Sequence, residues 1–101
     1  MASSKVQYNF EWVPNKAREN IRKHKVSFEQ AAQTFRDPLA ISIFDEEHGH
    51  KEERWITLGQ DNNGILLVVV HLFEEEGEGR YRIRIISARR ATKREIKQYE
   101  G

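Results

Sequence analysis

Arginine alternates with tyrosine and isoleucine through Arg80, Tyr81, Arg82, Ile83, Arg84 and Ile85, and Ser87, Arg89 and Arg90 follow. A guanidinium is always charged and presents a planar fork that matches phosphate oxygens. In an extended strand Arg80, Arg82 and Arg84 project to one side, about 6.6–7 Å apart, with Tyr81, Ile83, Ile85 and Ser87 on the other. Like charges at that spacing repel one another, which makes a purely structural role a poor one. The spacing resembles that of successive phosphates along a nucleic-acid strand. The structural alternative is pairing with acidic neighbours: Glu52, Glu53 or the turn Glu74 to Glu78. That pairing is expected for Arg80 beside the turn and not for Arg84 at mid-strand. Such surface pairs contribute little.

Charge on a phosphodiester can be stabilised by arginines, but its chemistry also needs a proton-transfer group. His71 ends the most apolar run of the chain. The hairpin that follows is expected to set it across from about Arg82. Nearby arginines would lower its pKa and favour the neutral imidazole a general base requires. The bland reading, a packed and hydrogen-bonded histidine, is the commoner one for a single histidine; the catalytic reading places the side chain outside the core.

The remaining polar clusters say less. The segment from Asp45 to Glu53 holds His48, His50 and five acidic residues, but with no regular ligand spacing, so no metal and no cofactor is expected. His24 reads as a helix-terminal residue that complements the dipole. There is no cysteine, which excludes disulfides, thiol chemistry and thiolate metal sites. The amino terminus has no apolar stretch of signal type, and no apolar run approaches the ~20 residues of a membrane span, so a cytoplasmic protein is expected. Net charge is only +1, yet residues 80–101 hold eight of the seventeen Lys and Arg and two of the sixteen Asp and Glu. A basic surface aimed at something anionic follows from that asymmetry.

The elements that must position these groups are legible from pattern. Residues 1–7 read as a flexible terminus, and residues 8–101 as one domain. Tyr8 to Trp12 alternates as a short strand. A helix starts near Pro14, with Ala17, Ile21 and His24 on its apolar stripe. Ser27 and Gln30 open a second helix, which Asp37-Pro38 ends. Strands follow at Leu39–Asp45 and Arg54–Gln60. Asp61 to Gly64 is a hairpin turn. Ile65 to Phe73 is apolar at both parities, as in a central strand covered on both faces. Tyr81 to Ser87 is the last strand, and Thr92 with Glu95 caps a final helix. The fold class is α+β: an antiparallel four- to five-stranded sheet with two N-terminal helices and a C-terminal helix, the helices mainly on one face.

The stretches from Asn9 to Ile41, Glu53 to Gly59, Leu66 to His71 and Arg82 to Glu100 resemble the BrnT toxins of bacterial type II toxin–antitoxin systems. The pieces "KHKVSFEQA" and "RIRIISARRATKRE" carry most of the likeness. The resemblance implies a RelE/ParE-like fold and a metal-independent ribonuclease that blocks translation. It also implies a BrnA-type antitoxin with a ribbon-helix-helix domain, through which alone the complex reaches promoter DNA. On that basis His71, Arg82, Arg84 and Arg89 form the catalytic set. Arg80, Arg90, Lys93 and Arg94 would hold the RNA backbone, and Trp55 and Tyr81 are candidates to stack on a base. A different class, a ParE-like toxin or regulatory module acting through protein contacts, would need no proton-transfer residue. Two positions depart from the family: Val13 stands where an Asp would cap the first helix, and Glu74 to Glu76 stand where relatives carry a basic residue.

Overall fold

The computed structural model describes residues 6–47 and 53–101. Five strands form one sheet in the order β1-β5-β4-β3-β2: β1 Gln7–Glu11, β2 Ile41–Phe44, β3 Arg54–Gln60, β4 Leu66–Gly77 and β5 Arg80–Arg90. β2, β3, β4 and β5 are antiparallel in succession, as the short turns between the later ones demand. Asp61 builds the β3–β4 turn by accepting from the backbone of Asn63 and Ile65 at 2.8 and 2.9 Å, while Gly64 takes a positive φ of 80°.

The sheet is mixed, and this corrects the antiparallel expectation. β1 runs parallel to β5, with Gln7 opposite Arg80 and Glu11 opposite Arg84. A tight turn fixes the direction of a strand that follows it, but β1 is separated from β5 by the whole chain, so no local signal sets its direction. Gln7 belongs to β1, which corrects the flexible terminus expected over 1–7 at its last residue. Residues 1–5 lie outside the described residues, as do His48 and His50.

α1, Pro14–His24, starts at the proline, and its N-cap Val13 makes no side-chain bond. α2, Phe28–Ala32, is capped by Ser27 Oγ, which accepts from the Gln30 amide at 3.0 Å, and continues as a 3-10 turn, Gln33–Arg36. These pack on the sheet face that carries Leu67, Val69, Ile83, Ile85 and Ala88, and with Val26, Phe28 and Ala31 they close the core. α3, Lys93–Glu100, is fixed by a reciprocal capping box between Thr92 and Glu95. It flanks the opposite face, where Glu95 and Gln98 sit beside Ile41, Ile56, Leu58 and Val68. The helices therefore divide between the two faces, another departure from expectation.

The stripe on α1 also differs. Ile21 is 47% exposed, and the buried residue is Asn20, at 5%. β1 ends opposite Arg84, so the rest of β5 has a free edge. Asn20 satisfies that edge: its Oδ1 accepts from the Ala88 amide at 3.1 Å and its Nδ2 donates to the Ala88 carbonyl at 2.8 Å. Nδ2 also donates to the Val26 carbonyl at 2.9 Å, which anchors the chain leaving α1. A polar residue is buried here because strand and loop offer backbone groups that would otherwise be unpaired.

Candidate functional site

Cross-strand registers sort the candidate residues onto two faces. On the face without α1 and α2, rows run Ile41, Leu58, Val68, Arg89; then Ile43, Ile56, Val70, Ser87; then Arg54, Leu72, Arg84, Glu11; then Glu74, Arg82, Asn9. A bulge between Val70 and His71 leaves Ile86 unopposed. It moves Ser87 to the arginine face, away from the Tyr81, Ile83 and Ile85 side expected for it.

Arg82 and Arg84 line a cavity of about 200 Å³ with Glu11, Leu72 and Glu74. Both are engaged. Arg84 Nη2 lies 2.7 Å and its Nε 2.9 Å from Glu11 Oε2. Arg82 reaches Glu74 at 2.6 Å and Glu76 and Glu11 at 3.6 Å. Three carboxylates thus face two guanidiniums. The distribution expected from the sequence is reversed: Arg84 is paired, while Arg80, exposed at the start of β5, has no ion pair among the described residues. The parallel β1 is the cause, because it delivers Glu11 to Arg84.

His71 faces the other way. It pairs with Ile85, is 2% exposed and meets Phe35 edge-on with ring centroids 4.8 Å apart. This corrects its placement outside the core and beside the arginines. Its Nδ1 donates to the Leu72 carbonyl at 3.2 Å, which leaves Nε2 to accept from the Thr57 hydroxyl at 2.7 Å; Ser42 lies 2.7 Å further along. Burial lowers its pKa to about 4 against a weaker opposing effect of the Leu72 bond. The neutral imidazole anticipated from the sequence is present, with desolvation and not arginine as its cause. Trp55 and Tyr81 share this face: Trp55, with Tyr8, Phe35, Ser42 and Phe73, walls a cavity of about 280 Å³ over His71, and Tyr81 stacks on Phe73 at 4.9 Å. Neither ring reaches the arginine row.

The end of the open face beside α3 is different. Arg89 Nη1 and Nη2 donate to the two oxygens of Glu95 at 2.8 and 2.9 Å, and Nη1 also donates to the Arg90 carbonyl at 3.2 Å. The Arg89 bond, aided by the Thr92 amide, holds the Glu95 carboxyl well below its usual range, at about 2, although partial burial opposes this. Lys93 and Arg94, in the first turn of α3, are exposed and have no ion pair among the described residues, whereas Arg90, opposite Leu67, lies on the other face of the sheet. Arg89, Glu95 and Ser87 line a cavity of about 240 Å³ with His24, over a floor of Ile43, Ile56, Val68 and Val70. The sequence reading missed His24 at this place, and Asn20, which brings it there. Their spacing of four residues on one helix was the available signal. It meant little without the free edge of β5.

Among the described residues no group of three or more His, Asp or Glu is placed to hold a metal ion, and no helix is long and apolar enough to cross a membrane. A family model described as the ribonuclease toxin BrnT of type II toxin–antitoxin systems matches residues 12–95. The 1.1 Å crystal structure of the Brucella abortus ribonuclease toxin BrnT is similar in fold, with a TM-score of 0.59 and 21% sequence identity, over 87% of this chain and 100% of that one. No curated protein matches the chain.

Proposed function

Because this chain belongs to the BrnT family of ribonuclease toxins of type II toxin–antitoxin systems, we propose that it cleaves RNA in the cytoplasm without a metal ion and thereby stops translation. The observation that carries this reading is the concentration of cations at one end of an uncovered sheet face. Arg89 is held rigid there, and Lys93 and Arg94 of the adjoining α3 are open to solvent. Unpaired cations attract a phosphate backbone and release its counterions. A guanidinium fixed in advance stabilises charge that develops on a phosphodiester without having to reorganise. In a metal-free reaction the 2′-oxygen attacks the adjacent phosphorus, the bond to the 5′-oxygen breaks, and a 2′,3′-cyclic phosphate remains.

The same face supports the partner reading. Beside the charged end, Ile41 and Ile43 of the edge strand β2 are 41% and 58% exposed. Isoleucines next to arginines suit an amphipathic, acidic segment, and we assign that role to a BrnA-like antitoxin whose ribbon-helix-helix domain binds the promoter. The division of layers, two helical segments on one face and an open face flanked by a third, fits the RelE/ParE-like description.

The test is incubation of the purified protein with total RNA in EDTA, with and without the product of the neighbouring gene. Fragments ending in cyclic phosphate are expected in chelator, and their loss when the partner is added. Cleavage that needs a divalent ion overturns the metal-independent reading. No cleavage under any condition returns the chain to the protein-binding alternative.

A further inference from the structure

We propose that the cavity between the end of α1 and the β5–α3 junction is the reacting centre for RNA, with His24 as the catalytic residue that moves the proton and Arg89 as the ligand of the scissile phosphate. This deepens the ribonuclease reading above and rests on it.

Placement comes first. Asn20 is locked to both backbone groups of Ala88, and His24 lies one helical turn further along the same face of α1. Arg89 is the next residue after Ala88, and its side chain lies on the open face of the sheet. The imidazole, the guanidinium, the Ser87 hydroxyl and the Glu95 carboxylate therefore converge on one cavity of about 240 Å³ with an apolar floor. Asn20 is what makes the convergence rigid.

The donor inventory of Arg89 then fits its role. Nη1 spends its two protons on Glu95 and on the Arg90 carbonyl, and Nη2 spends one on Glu95. The Nε proton and the second Nη2 proton remain. They point side by side, a fork suited to two oxygens of one phosphate. Glu95 orients this fork and is a positioning residue. Lys93 and Arg94, in the first turn of α3, are placed for flanking phosphates.

Proton transfer at this face needs a group that changes charge near neutral pH, which histidine does by nature. Of the four histidines, His71 is buried on the opposite face and His48 and His50 lie outside the described residues. His24 is exposed and shares the cavity with the arginine. In the step proposed, neutral His24 takes the 2′-hydroxyl proton as the oxygen bonds to phosphorus. The phosphorus–O5′ bond breaks, and water at the open mouth of the cavity protonates the departing 5′-oxygen. The hydroxide formed is neutralised by the proton His24 then releases, so the balance closes with no other reactant.

The experiment measures single-turnover cleavage and binding of a short single-stranded RNA with wild type, His24→Ala, Arg89→Lys and Glu95→Gln. His24→Ala is expected to slow the chemical step by about a hundredfold or more, to leave the dissociation constant within about twofold, and to regain activity when free imidazole is added. Arg89→Lys is expected to retain affinity better than rate, because a single ammonium cannot reproduce the fork. Glu95→Gln is expected to lower the rate less than Arg89→Lys. His24→Ala cleaving at the wild-type rate, or slowed but indifferent to imidazole, overturns the proposal while the ribonuclease reading stands. A wild-type protein that cleaves no RNA overturns that reading first.

Discussion

Glu11 and Arg84 stand side by side across the parallel β1–β5 pair, with Arg84 Nη2 2.7 Å from Glu11 Oε2. Arg84 is 52% exposed and Glu11 37%, so the pair contributes about 0–1 kcal/mol to stability. Its larger effect is on anions, because the carboxylate occupies the donors a phosphate would use. Glu11→Gln is accordingly expected to tighten RNA binding by a few-fold and to steepen its salt dependence by about one counterion. Arg84→Ala in the wild-type background is expected to change affinity less. Fluorescence anisotropy of a labelled RNA at two salt concentrations decides it; a Glu11→Gln protein that binds more weakly shows that Arg84 is not a latent phosphate ligand.

His71 makes stability depend on pH. Its folded pKa of about 4 lies below the ordinary 6.5, because burial disfavours the imidazolium. As pH falls below 6.5 the unfolded chain takes up a proton that the folded one refuses. Stability is therefore full above about 6.5 and is lost progressively down to about 4, by something on the order of 3 kcal/mol. Glu95, with its folded pKa of about 2 below the ordinary 4.5, adds a separate loss below pH 4.5. Urea midpoints are expected to fall between pH 7 and 5 in wild type and to stay nearly level in His71→Gln. A flat wild-type profile over that range excludes a buried neutral imidazole.

How much of this was legible follows the range of each signal. β4 and its hairpin to β3 could be read because an apolar run and an Asn-Gly turn act within a few residues. The capping box of α3 was equally local. The direction of β1 was not legible, and with it went the pairing of Arg84. Nor was the bulge at Ile86, which alters the parity of β5 without any glycine or proline to mark it. That single extra residue carries Ser87 to the arginine face and sets His71 against Ile85. Arg89, Arg90, Lys93 and Arg94 lie past the bulge, where the strand leads directly into a capped helix. Arg89, Lys93 and Arg94 stay together in space as they are in sequence, while Arg90 turns to the other face.

Val13 leaves the first amides of α1 without a side-chain acceptor, and the first turn holds no acidic residue. The residue has extended backbone angles, φ −84° and ψ 121°, which suit an N-cap, and is 43% exposed. Val13→Asp is expected to raise stability by about 1 kcal/mol through one accepted bond and the favourable helix dipole. Chemical denaturation at pH 7 measures it. An unchanged or lowered midpoint means that the apolar contacts of Val13 outweigh the missing cap.

Asn20 offers the sharpest separation between packing and hydrogen bonding. Asn20→Ala leaves the Ala88 amide and the carbonyls of Ala88 and Val26 without partners, a cost of about 2–4 kcal/mol for groups that water reaches poorly. Asn20→Asp keeps the shape and the acceptor for the Ala88 amide, yet it sets a carboxylate against two carbonyl oxygens that had each received a proton from Nδ2. At pH 7 Asn20→Asp is therefore expected to be the less stable of the two variants. Burial and the facing carbonyls raise the pKa of such a carboxyl, and once protonated it regains one donor. As the pH is lowered, Asn20→Asp is expected to gain on Asn20→Ala, although both carry the acid loss from His71. Parallel urea titrations at pH 7 and pH 5 read the difference directly. If Asn20→Asp is the more stable variant at pH 7, the donor bonds to Ala88 and Val26 are not what hold α1 to the edge of β5.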